Sequence, residues 1–141
     1  MSTKDYLGQI QSCREYLRQL YIRKENLHIN YNGISAIDYS GPKVQSSAEN
    51  KLEAEGWKLA ERIAKLNEQI EETSIKIDNI SQEIYSVDNG GRYSRILFLR
   101  YSEGRSLKEI STEYGLDYCQ TCRLHGEALR AFKDTYSDKL Q

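Results

Sequence analysis

The sequence predicts an all-α fold, a long antiparallel helical hairpin followed by three shorter helices, and three observations carry that prediction. One proline and nine glycines among 141 residues leave long stretches without a helix breaker. Apolar residues recur every three or four positions through most of the chain, the period of one helix face. The strict apolar/polar alternation of a strand is not sustained along the chain. With 38% apolar and 29% charged residues, the composition suits slender helices that expose much of their surface.

The first helix is predicted from about Lys4 to Asn30. Ile10, Cys13, Leu17, Leu20, Lys24 and Leu27 follow a 3,4,3,4,3 spacing that places all six on one stripe, which Tyr6, Leu7 and Tyr21 widen. Asn32-Gly33 and Gly41-Pro42 then predict a loop, placed at 31–48. Ser46 with Glu49 three residues later reads as a capping box that opens a second helix.

That helix runs through Leu52, Gly56, Leu59, Ile63, Leu66, Ile70, Thr73, Ile77, Ile80, Ile84 and Val87, an unbroken 4,3,4,3 alternation with Glu, Lys and Gln between. A 3.5-residue period sustained over five heptads is the signal of a coiled coil. Folding the first helix back on it pairs Leu27 with Leu52, Leu20 with Leu59, Leu17 with Ile63 and Cys13 with Leu66. At 1.5 Å per residue the second helix is about 58 Å long and the first about 40 Å. Ile77, Ile80, Ile84 and Val87 then overhang, and such an apolar stripe needs cover from the C-terminal domain or from a second chain. Trp57, Ala60 and Ala64 form a short second stripe, which calls for a third helix or a dimer partner. Asp88-Asn89-Gly90-Gly91 breaks the helix and predicts a hinge, dividing a hairpin domain (1–88) from a second domain (92–136).

Charge divides in the same way. Net charge is −1, but residues 1–91 carry 11 basic and 14 acidic residues while 92–141 carry 9 and 7, so the C-terminal part is the better partner for a polyanion. No segment approaches the roughly 20 apolar residues of a membrane span, and no basic stretch followed by an apolar run opens the chain. Three cysteines, an odd number, fit reduced thiols in a cytoplasmic protein better than a disulfide framework.

Within 92–136 the first short helix holds Ile96, Leu97, Leu99 and Tyr101 and stops at Gly104; Ser106 and Glu109 cap the second, which runs through Ile110 and Tyr114. Gly115-Leu116-Asp117 supplies a tight turn with Asp117 as N-cap of a third helix, whose inner face is Thr121, Leu124, Ala128, Leu129 and Phe132. Two helices joined by a three-residue, glycine-containing turn make a helix-turn-helix.

The run Ile96-Leu97-Phe98-Leu99-Arg100-Tyr101-Ser102-Glu103-Gly104-Arg105-Ser106-Leu107-Lys108-Glu109-Ile110, with Gly115-Leu116 and Ala128-Leu129 after it, resembles region four of bacterial sigma factors. The likeness covers about 40 residues. The whole layout, with the Gly41-Pro42-Lys43-Val44-Gln45-Ser46-Ser47 and Arg123-Leu124-His125-Gly126 runs, is similar to a family of small phage and prophage proteins of Gram-positive bacteria read as transcription regulators. The resemblance implies double-stranded DNA as partner, with RNA polymerase as a second one, and a homodimer built on the coiled coil. It implies that Tyr118, Cys119, Cys122 and Arg123 face the bases of a major groove. Sigma factors commonly carry arginine and glutamate at positions matching the first three, so the chain departs from their usual −35 reading. Arg123 is the side chain able to bridge guanine O6 and N7, and Arg105, Ser106 and Lys108 at a helix start suit a phosphate.

Cys119-Gln120-Thr121-Cys122 with His125 also invites a zinc or redox reading. Structural zinc wants four ligands, and Cys13 and His28 lie far off in the hairpin; redox C-x-x-C motifs follow a strand in a βαβ setting, which is absent. No metal or cofactor is therefore expected, and the two cysteines read as small residues near a DNA-facing surface. Without a phosphate loop, nucleophile elbow or paired His/acid arrangement, catalysis is not expected either. Beside a DNA-binding regulator stand two alternatives, a packaging protein of the small-terminase kind and an interaction adaptor that has lost DNA binding.

Overall fold

The computed structural model describes residues 1–38 and 46–140, with side chains described over 1–30, 51 and 53–140. All regular structure among the described residues is helical: α1 (Thr3–Asp38), α2 (Ser46–Ser86), α3 (Arg92–Leu97) continued by a π turn (Phe98–Ser102), α4 (Leu107–Tyr114), α5 (Tyr118–Thr135) and a 3₁₀ turn (Ser137–Leu140). No described helix is long and apolar enough to cross a membrane.

α1 runs past its expected stop. Asn32-Gly33 does not end it, and the helix continues to Asp38; an interior glycine costs about 1 kcal/mol relative to alanine, which the hydrogen-bond ladder of a 36-residue helix carries across. The side chains of Ser46, Glu49 and Leu52, and the Gly41-Pro42 punctuation, lie outside what the structure describes.

The chain divides into two compact units, and neither follows the expected boundary near Asp88. One unit is residues 16–74; the other joins Met1–Glu15 to Ile75–Gln141. In the 16–74 unit the least exposed positions are those of the sequence stripe: Leu20, Ile70 and Thr73 are buried, and Leu17, Lys24, Leu27, Gly56, Leu59, Ile63 and Leu66 are half-buried. Leu27 and Asn30 share one depression with Glu55, Lys58, Leu59 and Arg62, and Arg23, Asn26 and Leu27 share another with Arg62, Lys65 and Leu66. The expected partner of Leu27, Leu52, lies outside the residues whose side chains are described. Trp57 (73% exposed), Ala60 and Ala64 stay uncovered by this chain.

The second unit holds the main core. Leu7 and Ile10 of α1, Ile77, Ile80 and Ile84 of α2, Ile96, Leu97 and Leu99, Ile110, and Ala128 and Phe132 of α5 are all buried, while Val87 is half-buried. The isoleucines expected to overhang are thus covered within one chain. Around the Phe132 ring stand Tyr6 at 5.8 Å and Tyr136 at 5.0 Å between centroids, contacts worth about 0.5–1.5 kcal/mol each beyond their buried area. Glu83, buried at the rim, accepts from the Tyr6 hydroxyl at 2.6 Å and from the Lys139 ammonium at 2.5 Å. Burial and then the Glu83 carboxylate push the Tyr6 phenol far above its ordinary range.

The expected hinge is a stapled corner. Asn89 (φ 52°) and Gly90 (φ 85°) take left-handed conformations that turn the chain, and the Asp88 carboxylate accepts from the amides of Gly91 (2.9 Å), Tyr93 (2.9 Å) and Ser94 (3.1 Å) and from the Ser94 hydroxyl. Burial alone would raise this carboxyl, but those four donors hold it below its usual range. The same Ser94 hydroxyl lies 2.9 and 3.0 Å from the carbonyl oxygens of Ile84 and Tyr85, so its one proton is shared at the junction of α3 with the end of α2.

After Leu97 the backbone widens into the π turn, where the Glu103 amide donates to Phe98 O at 3.0 Å. The widening presents the carbonyls of Tyr101 and Ser102 to the Gln11 amide of α1, which donates to both at 2.9 and 2.8 Å, while Arg14 donates to the Ser102 hydroxyl. A long-range contact therefore accompanies the departure from regular helix. Gly104 (φ 72°) closes the segment, with the Gln11 amide 3.3 Å from where a β-carbon would sit.

Candidate nucleic-acid interface

α4 and α5 are short amphipathic helices with well-defined starts. Ser106 takes extended backbone angles and its hydroxyl accepts from the Glu109 amide at 3.1 Å, a cap worth about 1 kcal/mol. Gly115, in the left-handed region at φ 64°, ends α4 and lets Leu116 N reach back to Ser111 O at 3.0 Å. Asp117 is the N-cap of α5; its amide donates to Gln120 Oε1 at 3.4 Å, and its carbonyl accepts from both the amide and the hydroxyl of Thr121.

α5 buries Thr121, His125, Ala128 and Phe132, with Leu124 and Leu129 half-buried beside them. The sequence stripe is right in direction but omits His125. That imidazole is inward-facing: its Nε2 meets the Tyr101 hydroxyl at 2.9 Å and the two rings stack at 5.7 Å. Burial first, then the nearby charges of Lys4 and Arg100, lower its pKa to about 4. Cys119, by contrast, is exposed. The His125 spacing of four from Thr121 and three to Ala128 is the available signal for an inner-face position.

The opposite side of α5 is open. Tyr118 (52% exposed), Cys119 and Arg123 are exposed and Cys122 is half-buried, so the four residues expected at the bases lie within the first two turns of one helix. Hydrogen bonding with Cys122 pushes the Tyr118 phenol up. Among the residues expected at phosphates, Lys108 is exposed at the start of α4 and Ser106 is engaged as a cap. Arg105 differs from expectation: its guanidinium is paired with Glu103 (2.9 Å) and with Glu113. A phosphate at Arg105 must displace two carboxylates.

Sequence reasoning missed a cleft in the same segment. Arg92, Arg95, Ile96, Leu99, Ile110, Tyr114, Leu116, Thr121 and Leu124 line a cavity of about 210 Å³, and Tyr114 and Leu116 stand more than 40% exposed beside it. Tyr114 and Leu116 flank Gly115 in sequence, and that adjacency to a left-handed turn is the signal that could have marked them. Set against known protein families, curated proteins and solved structures, the chain finds no match in any of the three.

Proposed function

We propose that residues 92–136 act as a helix-turn-helix that places the start of α5 in the major groove of double-stranded DNA, in a transcription regulator of phage or prophage type. α1 and α2 form the accompanying hairpin, which serves for dimerisation or for docking on RNA polymerase. The observation that carries this reading is the open first half of α5, with Tyr118, Cys119 and Arg123 exposed directly after a three-residue turn from α4. A helix whose inner face is packed and whose N-terminal outer face is free has the form that a major groove admits.

One such unit offers about four phosphate contacts, so log affinity falls with log salt at a slope near −3.6, a loss of about a hundredfold between 50 and 200 mM. Tight specific binding then requires two units on paired half-sites or contacts supplied by polymerase. Arg123→Ala is expected to relax discrimination at one base by about 1–3 kcal/mol. Lys108→Ala should weaken all sequences alike and flatten the slope by about one unit. A salt titration of wild type and both variants on selected and random duplexes tests the reading. Absence of binding even at about 50 mM salt, or identical behaviour of the two variants, removes it.

The adaptor reading draws support from one feature, the engagement of Arg105 by Glu103 and Glu113 beside an apolar cleft. Under that reading the same titration shows no DNA complex at any salt concentration.

A further inference from the structure

Cys119 and Cys122 stand one turn apart at the start of α5, one exposed and one half-buried, and both are free thiols. Residues three apart in an α-helix have α-carbons about 5 Å apart, inside the roughly 4.4–6.8 Å range that a disulfide spans. Their β-carbons must still draw together, so a bond between them requires the turn to tighten. The first turn is the place where that is cheapest, because its leading amides have no partner within the helix. Here the start of α5 is fastened by the Thr121 amide and hydroxyl on Asp117 O and by a long 3.4 Å contact between the Asp117 amide and Gln120.

We propose that Cys119 and Cys122 form a reversible dithiol–disulfide pair that remodels the first turn of α5 when it closes. The oxidant is a peroxide. The more exposed Cys119 sulfur attacks one peroxide oxygen, the O–O bond breaks, and a sulfenic acid forms with release of water. The Cys122 thiol then attacks the Cys119 sulfur; an S–S bond replaces the S–O bond, and the hydroxyl leaves with the Cys122 proton as a second water. Two thiols thus give up two electrons and two protons, and hydrogen peroxide becomes two waters. This is a stoichiometric modification, distinct from the catalytic C-x-x-C of a βαβ fold. Because Tyr118 and Arg123 flank the pair, closing it moves the side chains proposed to meet the bases, a consequence that rests on the DNA reading above.

The test treats the full chain carrying Cys13→Ser with hydrogen peroxide and follows both mass and DNA binding. The expected product is a monomeric chain lighter by about 2 Da, with the change confined to the tryptic peptide that ends at Arg123 and reversed by dithiothreitol. Adding Cys122→Ser must abolish it, with far-ultraviolet circular dichroism confirming that this variant is folded. Thiols that stay open to alkylation, chains joined to one another, or oxidation to sulfinic acid would overturn the pair. On duplexes selected from a random pool by the reduced protein, closure is expected to lower affinity about tenfold or more, and the Cys119→Ser/Cys122→Ser variant must show the same affinity with and without peroxide. A disulfide that closes while reduced protein binds no DNA supports the pair and removes the DNA reading. A disulfide that closes without altering measurable DNA binding removes the switch.

Discussion

Packed against Tyr101 and facing the charges of Lys4 and Arg100, His125 ties the stability of its unit to pH. Its pKa falls from 6.5 to about 4 on folding, so between those values the unfolded chain binds the proton that the folded chain refuses. The contribution is therefore complete above pH 6.5 and is lost as pH falls toward 4, amounting to about 1–3 kcal/mol at the acid end. Urea midpoints across that range should show the slope, and His125→Gln should flatten it. Arg105 supports a second expectation. Glu113→Gln removes one of the two carboxylates that engage its guanidinium, so on the DNA reading this variant should bind duplex several-fold more tightly, within the roughly 0–1 kcal/mol that an exposed ion pair is worth. An unchanged or weaker affinity in the same titration would show that Arg105 does not approach phosphate. At Asp88, replacement by alanine strips four hydrogen bonds from the corner. It should cost about 1–3 kcal/mol and speed hydrogen exchange at the Gly91, Tyr93 and Ser94 amides.

Helix α2 carries one apolar stripe through two different environments. Ile80 is 2% exposed and Ile63 is half-buried, so Ile80→Ala should cost about 2–5 kcal/mol and Ile63→Ala distinctly less, as read by chemical unfolding. The stripe itself was legible in the sequence, since burial from Gly56 to Ile84 follows the 4,3,4,3 spacing. Spacing alone fixes the facing sides and leaves the offset open, because sliding one heptad helix past another by a heptad restores the same pattern of apolar contacts. The π turn was illegible for a different reason, because the Gln11 side chain that meets its carbonyls lies about 90 positions away. Caps at Ser106, Gly115 and Asp117 were legible because each depends on side-chain or backbone chemistry within four residues. The same locality placed Tyr118, Cys119, Cys122 and Arg123 together on one helix start, while the engagement of Arg105 depended on Glu113, eight residues on in α4 and so beyond the reach of a one-turn spacing rule.

For the molecule as a whole, the uncovered Trp57, Ala60 and Ala64 stripe raises the question of assembly. If a second copy covers it, Trp57→Glu should lower the solution mass to that of a monomer; a mass unmoved by the substitution assigns any oligomer to another face, and a ring of eight or more subunits would favour the packaging alternative. The division of the chain into units also bears on the order in which it acquires structure. The 16–74 unit is built from consecutive residues, whereas the other joins 1–15 to 75–141. During synthesis Leu7 and Ile10 leave the ribosome long before the Ile80, Ile84 and Phe132 side chains of their unit exist, so the first fifteen residues must wait, their apolar face bare, until nearly the whole chain has emerged. Pulse-labelling hydrogen exchange during refolding should accordingly find amides of 16–74 protected before those of Leu7 and Ile10. Nascent chains halted before α5 should present those two residues to chaperones.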